Sequence, residues 1–221
     1  MPSAQGVGAL RRSWTLWHTR TMDGVELAQL GAEHAALRRV ATLVAQGAAP
    51  GTLFAVVAEQ VAHVLNVPLV SIVRYEGDGT ATECASFSER GEVFAVGTRW
   101  SLAGTNVVAQ VRESGRPARI NDYSGLEGVV AETVRRAGIR STVGIPIVVA
   151  GRLWGAMVVS SAELDPLAAD TEARLADFTE LVATAISNTE AQAEVERLAD
   201  EQAALRRVAT LVARQPSRRA P

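Results

Sequence analysis

The sequence contains no lysine, because all 22 of its basic residues are arginine. P-loop nucleotide sites, Schiff-base enzymes and protein kinases each need a lysine ε-amine, so these classes are excluded. Cysteine is nearly absent as well. The single Cys84 cannot form an internal disulfide, a CxxC redox pair or a cysteine-rich zinc site. Such cysteine usage favours a reducing compartment, and we expect a cytoplasmic protein.

The chain also lacks excess charge and long apolar runs. Its net charge is −2 and its isoelectric point is about 6.0, so neither nucleic acid nor an anionic membrane is an expected partner. Residues 1–20 have no apolar core of a signal peptide, and no run approaches ~18 apolar residues. We therefore expect a chain that is neither secreted nor membrane-spanning.

One sequence occurs twice. AALRRVATLVA is found at Ala35–Ala45 and again at Ala203–Ala213, an offset of 168 residues. This offset is a domain length and not a solenoid period. At ~150 residues per domain, the 221 residues make about one and a half domains. We predict a disordered leader at 1–24, a complete domain with flanking helices at 25–195, and the start of a truncated second repeat at 196–221.

The two copies are followed by different sequences. The first continues QGAAP into a full domain, whereas the second continues RQPSRRAP to the last residue. The absence of lysine indicates a GC-rich gene, and an Arg- and Pro-rich ending in such a gene is what a frameshift or an early stop would leave. We therefore expect sequence of a second domain to be encoded downstream.

Secondary-structure signals mix helices with short strands. Hydrophobic periodicity predicts helices at 25–46, 53–65, 107–114 and 126–137, with Thr52 as the N-cap of the second. Turn residues bound predicted strands at 69–75, 80–87, 93–96, 118–121, 141–149 and 153–160. This order is typical of an α+β fold with a mostly antiparallel sheet. Pro146, inside one strand, predicts a bulge or an edge position.

The C-terminal region predicts one long helix. No glycine or proline occurs between Pro166 and Pro216, and a helix of that length would extend about 70 Å. Leucine or valine recurs every seven residues in both repeat copies, at Leu30, Leu37 and Val44 and at Leu198, Leu205 and Val212. This spacing predicts a coiled-coil homodimer, although Glu33 and Glu201 at the alternate seam positions weaken the pattern. The alternative is a helix packed only on its own domain.

Two segments carry a resemblance to a known family. Ser141–Ser161 reads STVGIPIVVAGRLWGAMVVSS and Arg116–Tyr123 reads RPARINDY. The glycines, proline and leucine of the first segment match the closing hairpin of GAF domains, at Gly144, Pro146, Gly151, Leu153 and Gly155. Together with the repeat, the chain resembles the N-terminal GAF repeat of actinobacterial sensor histidine kinases. The resemblance implies a central, mostly antiparallel sheet, helices on one side, lid helices on the other, and long N- and C-terminal signalling helices.

The resemblance also implies a small-molecule pocket between one sheet face and residues 98–140. Its polar or aromatic lining would be Trp100, Thr105, Asn106, Asn121, Asp122, Tyr123, Arg140 and Thr142. Two of these also have purely structural interpretations, because Thr105 suits a helix N-cap and Asp122 suits a turn. Trp154 is expected to pack on a sheet face.

The function implied is that of a non-catalytic sensory module, the input part of a two-component sensor histidine kinase. The chain has no phosphoacceptor histidine box and no ATP-binding boxes, so kinase activity and catalytic residues are not expected. Two alternatives remain. One is an enzyme resembling GAF-type free methionine sulfoxide reductases, although these shuttle a disulfide among several cysteines. The other is a dimerisation adaptor with a closed core and no ligand.

No cofactor is indicated. The cyclic-nucleotide signature NKxnFxxxDE of GAF domains is missing, and Cys84 lies outside the lid region where chromophore-bearing relatives place their bilin cysteine. Haem or a metal would need histidine ligands, but His18, His34 and His63 have no HxxxH or carboxylate partner. Cys84 is expected to be a buried strand thiol, because the adjacent Glu83 opposes the lowered pKa of a redox sensor.

Overall fold

The computed structural model describes residues 27–213 except 90, 92 and 164–166, so the predicted leader at 1–24 and the last eight residues lie outside it. The helices are α1 (27–45), α2 (Pro50–Leu65), α3 (Val107–Ser114), α4 (Val129–Arg136) and α5 (Thr171–Ala213). The strands are β1 (Leu69–Tyr75), β2 (Thr80–Ser88), β3 (Arg99–Ser101), β4 (Ala118–Ile120), β5 (Ser141–Val149) and β6 (Arg152–Ser161). Among these described helices, none is both long and apolar enough to cross a membrane.

The strands form one sheet in the order β3-β2-β1-β6-β5-β4, and every neighbouring pair is antiparallel. The predicted α+β class with an antiparallel sheet is therefore confirmed. Pro146 satisfies both expectations for a proline in a strand. The pairing of β5 with β4 stops before Pro146, so this side of β5 is a sheet edge at the proline. A register shift, which marks the bulge, follows between Ile147 and Val148.

Helices α1, α2 and α5 cover one face of the sheet. Their apolar side chains meet Val70 and Ile72 of β1 and the alternate residues of β5 in one buried cluster. Polar contacts tie the three helices together. Arg174 of α5 donates to Glu33 of α1 at 3.1 Å and to the Val64 carbonyl of α2 at 3.2 Å.

The other face of the sheet carries α3, α4 and their connecting loops over a second apolar cluster. Helix α3 approaches closely because Gly144 of β5 has no side chain. A Cβ there would lie 3.0 Å from a methyl of Val107 and one of Val111. The sheet is thus buried on both faces, between a layer of long helices and a layer of short ones.

Three local predictions were wrong. Helix α2 begins at Pro50 and not after Thr52, because proline fits the first helical turn, where no backbone donor is needed. Val93–Val96 is a loop, and the strand beside β2 is Arg99–Ser101 instead. Helix α4 begins at Val129, since Gly128 before it has φ +115° and breaks the predicted 126–137 helix.

Gly155 on β6 gives a direct test of this sheet. A Cβ at this position would collide with the Val73 carbonyl oxygen of β1, so the two strands would have to separate. We expect Gly155→Ala to lower the free energy of unfolding by about 3 kcal/mol or more in urea denaturation.

Gly77→Ala is the matched control, because Gly77 lies in an exposed turn where an added Cβ would meet no atom within 4 Å. We expect it to change the free energy of unfolding by less than about 0.5 kcal/mol. Equal effects of the two substitutions would contradict the packing described for β1 and β6.

Candidate functional site

A bulge in β2 turns a glutamate into the apolar layer beneath α3 and α4. Pairing with β1 passes from Ile72–Ala85 directly to Val73–Glu83, so Cys84 is an extra residue at this point. In a regular strand Glu83 and Ala85 would lie on the same face of the sheet, and the extra residue places them on opposite faces. Ala85 therefore belongs to the cluster under the long helices, whereas Glu83 shares the other face with Val73.

Glu83 lines a narrow cavity between the sheet and the short-helix layer. The cavity has a volume of about 30 Å³, which is room for about two water molecules. Its polar lining on the sheet consists of Ser71, Glu83, Thr142 and Ser160. Phe94 and Trp100 border it on one side, with their ring centroids 6.1 Å apart, and the other walls are valines, namely Val73, Val107, Val108, Val130, Val134 and Val158.

Within the described part of the chain, three polar groups on this cavity have no hydrogen-bond partner. They are both carboxyl oxygens of Glu83, the hydroxyl of Ser71 and the indole N–H of Trp100. Glu83 is 1 % exposed, and its burial raises its pKa to about 8. The Ser71 hydroxyl and the Trp100 indole N–H lie near the carboxyl and lower its pKa, against the effect of burial. Neither meets the distance and angle of a hydrogen bond. Buried polar groups are seldom left unpaired, so this cluster marks a place where a ligand would supply the missing partners.

Three further polar side chains of the cavity, those of Asn106, Tyr123 and Thr142, are paired. The hydroxyl groups of Tyr123 and Thr142 share a hydrogen bond of 2.8 Å, and burial raises the pKa of Tyr123. Asn106 accepts from the Ala109 backbone N–H at 2.8 Å and thereby caps α3. These groups hold α3 and the loop before α4 in place over the sheet.

The structure brings four of the eight predicted site residues to the cavity: Trp100, Asn106, Tyr123 and Thr142. The other four are exposed and do not line it: Thr105, Asn121, Asp122 and Arg140. The N-cap of α3 is Asn106 and not Thr105. Asp122 accepts from the Ser124 backbone N–H at 2.9 Å, as expected of a turn residue. A ligand-binding role for any of the eight stays a prediction.

Sequence reasoning missed Ser71, Glu83 and Ser160. Serines in a β-rich segment look like ordinary strand residues. A glutamate in an alternating strand such as TATECASF is usually exposed, so Glu83 looks solvent-facing. No signal in the sequence reveals the bulge, because it depends on how β2 pairs with β1.

Cys84 and the described histidines lie away from the cavity. Cys84 packs against the long-helix cluster, and burial raises the pKa of its thiol. It is half-buried and not fully buried as expected. His63 of α2 stacks edge-on against Phe87, with ring centroids 5.5 Å apart, and His18 lies outside the described residues. In the described part of the chain, no three His, Cys, Asp or Glu residues are grouped to hold a metal.

Trp154 packs where the sequence predicted. Its ring lies edge-on to Phe54 of α2, with centroids 5.7 Å apart, on the sheet face covered by the long helices. It therefore contributes to the core and does not line the cavity.

Comparison with known families matches residues 49–186 to the family described as GAF domain. Similar crystal structures include the phycoerythrobilin-bound GAF domain from a cyanobacterial phytochrome, with TM-score 0.61 and 17 % identity over 72 % of this chain and 97 % of that one. The phycocyanobilin-bound GAF domain from a cyanobacterial phytochrome gives TM-score 0.60 and 20 % identity over 72 % and 96 %. The GAF domain from Acinetobacter phosphoenolpyruvate-protein phosphotransferase gives 0.59 and 18 % over 73 % and 97 %. No curated protein matches the sequence.

The unpartnered carboxyl predicts a pH-dependent stability. Folding raises the pKa of Glu83 from its usual 4.5 to about 8, so the folded state binds an extra proton between these values. The wild-type protein therefore loses stability as the pH rises through this range. Glutamine cannot ionise, so we expect Glu83→Gln to raise the free energy of unfolding by on the order of 4 kcal/mol at pH 9 and by little at pH 5, as measured by urea denaturation.

Glu113→Gln makes the same change of charge on the exposed side of α3 and serves as the control. It should leave the difference between pH 5 and pH 9 as in the wild type. A gain from Glu83→Gln that does not vary with pH would show that the carboxyl is not the buried acid described above.

Proposed function

The chain belongs to the GAF domain family, and on that premise we propose that it is a non-catalytic input module that binds a small molecule and passes the signal through paired helices. The observation that carries this proposal is the two-faced sheet. Thr142, Val158 and Ser160 line the cavity, whereas Val143 and Val159, their neighbours along β5 and β6, lie in the cluster that contains α5. A ligand that shifts these strands therefore acts on α5 directly.

An ion pair adds a second connection between the sheet and α5. Arg119 of β4 donates to both carboxylate oxygens of Glu172 in the first turn of α5, at 2.9 and 2.6 Å. A two-pronged arginine–carboxylate contact fixes orientation as well as distance. Since β4 lies beside β5 at the end of the sheet, movement of that edge would reach the start of α5.

The exposed apolar residues of the terminal helices support pairing with a second copy. Leu198 and Leu205 of α5 are 46 % and 63 % exposed, and Leu27 of α1 is 69 % exposed. At 100° per residue, the two α5 leucines lie about 150° around the helix from the residues of α5 that pack on their own domain. They therefore cannot join the domain core, and heptad spacing suits a second helix. We propose a homodimer in which these leucines pair across the two copies.

The repeat favours a signalling context. The first copy of AALRRVATLVA forms part of α1, and the second ends α5, so the same helix-forming sequence precedes and follows the sensor domain. We propose that the domain lies at the N-terminal side of a cytoplasmic two-component sensor histidine kinase, whose catalytic part lies outside this chain.

The enzymatic alternative has less support. Cys84 is the only cysteine, burial raises the pKa of its thiol, and it does not line the cavity. A disulfide-shuttling reductase needs an accessible thiolate near its substrate and a second thiol. The ligand-free adaptor differs from the sensor in carrying no small molecule, which native mass spectrometry can detect.

The helix-pairing proposal predicts the effect of charge on the leucine stripe of α5, which consists of Leu198 and Leu205. We expect the wild-type chain to be a dimer at tens of micromolar by multi-angle light scattering. Leu198→Arg combined with Leu205→Arg should make it monomeric, because a pair of cations cannot be buried between the helices. Asp200→Arg, on another side of α5, should stay dimeric. A monomeric wild-type chain would refute the pairing.

The sensing proposal predicts that the protein carries a small molecule when purified from its own host. Native mass spectrometry should show an added mass on the wild type and none on Ser71→Leu, whose larger side chain fills the cavity. If both proteins have only their own mass and still form dimers, the adaptor is the correct function.

A further inference from the structure

We propose that the cavity selects a small ligand with a cationic nitrogen attached to an apolar body, and that Glu83 is the anionic partner of that nitrogen. This inference rests on the proposed ligand-binding function and adds the chemical class of the ligand. It follows from which groups of the cavity are paired, which are not, and which charge is missing.

The missing charge is positive. No arginine or histidine lines the cavity within the described part of the chain, and the sequence has no lysine. A carboxylate without a counter-ion is costly to bury, and a cation that donates to its oxygens removes most of that cost. An anionic ligand, such as a phosphate or a carboxylate, would find no positive charge in the described lining to neutralise it.

The neighbouring groups suit this role. Ser71 and Trp100 each hold an unpaired donor near Glu83, so they would complete the hydrogen bonds of the carboxylate once it ionises. Apart from the Ser160 hydroxyl, the rest of the described lining is valine, Phe94 and already paired side chains, which favours an apolar body for the rest of the molecule. The small cavity further restricts the ligand to a compact molecule, and binding must move the walls apart.

Glu83 is also the group that would couple binding to pH. Tyr123, on the loop before α4, is the only other titratable side chain among the described cavity residues, and α3, α4 and the remaining strands contribute none. Cys84, next in the chain, belongs to the opposite face of the sheet. A proton released when a cation binds near neutral pH would therefore come from Glu83.

Three isosteric probes test the charge. Benzamidinium, benzamide and benzoate share one shape and carry a positive, zero and negative charge. Calorimetric titration of the whole chain at pH 7 should show benzamidinium binding at least ~10-fold more tightly than benzamide, with close to one proton released, and no binding of benzoate. Its affinity should rise up to ~10-fold per pH unit below pH 8 and then level off, because Glu83 must lose its proton.

Glu83→Gln should remove both the preference for benzamidinium and the proton release, while Glu113→Gln should behave as the wild type. Benzamide or benzoate binding as tightly as benzamidinium would overturn the cationic class and leave the ligand-binding function standing. Undiminished benzamidinium binding by Glu83→Gln, or no binding of any probe by the wild type, would also overturn this inference. The mass spectrometry of the host protein decides the proposed function separately.

Discussion

The structure depends on the burial of its central strands on both faces. Strands β1, β6 and β5 must satisfy their backbone hydrogen bonds within the sheet, since neither face has access to water along most of their length. Val73 of β1 and Gly155 of β6 lie so close that no side chain fits between them. With this frame fixed, alternate residues of one strand reach two separate cores. One core holds the long helices and the other holds the cavity, so neither layer can change without the strands that both share.

Glu83 conflicts with the apolar layer that surrounds it. The layer beneath α3 and α4 is built of valines, which suit a dry interior, yet it contains a carboxyl without a partner. Natural sequences tolerate such a conflict mainly where function requires it, because the folded state is otherwise destabilised. The surrounding order supports this interpretation. Tyr123, Thr142 and Asn106 are hydrogen-bonded, so the fully buried unpaired atoms of the cavity are those of Glu83, Ser71 and Trp100.

Much of the fold could be predicted from local signals in the sequence. Strand β1 and helix α3 have the predicted ends because sharp signals bound them, a Glu-Gly-Asp-Gly turn in one case and Gly115 in the other. Asn106, Tyr123 and Thr142 reach the cavity because the segments that carry them were placed correctly, whereas Trp100 reaches it on the short strand β3, which was not predicted. Glu83 could not be found, because its direction depends on a one-residue bulge whose cause is the pairing of β2 with β1. Thr105, Asn121, Asp122 and Arg140 lie on loops or ends where sequence does not fix whether a side chain turns inward or outward.

The length of α5 has a further consequence for how such a domain can evolve. Its first turns are held by the domain core through Leu175, Phe178 and Val182, and its leucine stripe follows along the same continuous helix. Inserting one residue between them would rotate the stripe by about 100°, whereas inserting seven would restore its direction to within about 20°. Insertions of about seven, eleven or eighteen residues therefore keep the direction of the stripe, whereas most other lengths rotate it away from its partner. The helix therefore fixes the rotation of the leucine stripe relative to the domain, and only certain helix lengths preserve that rotation.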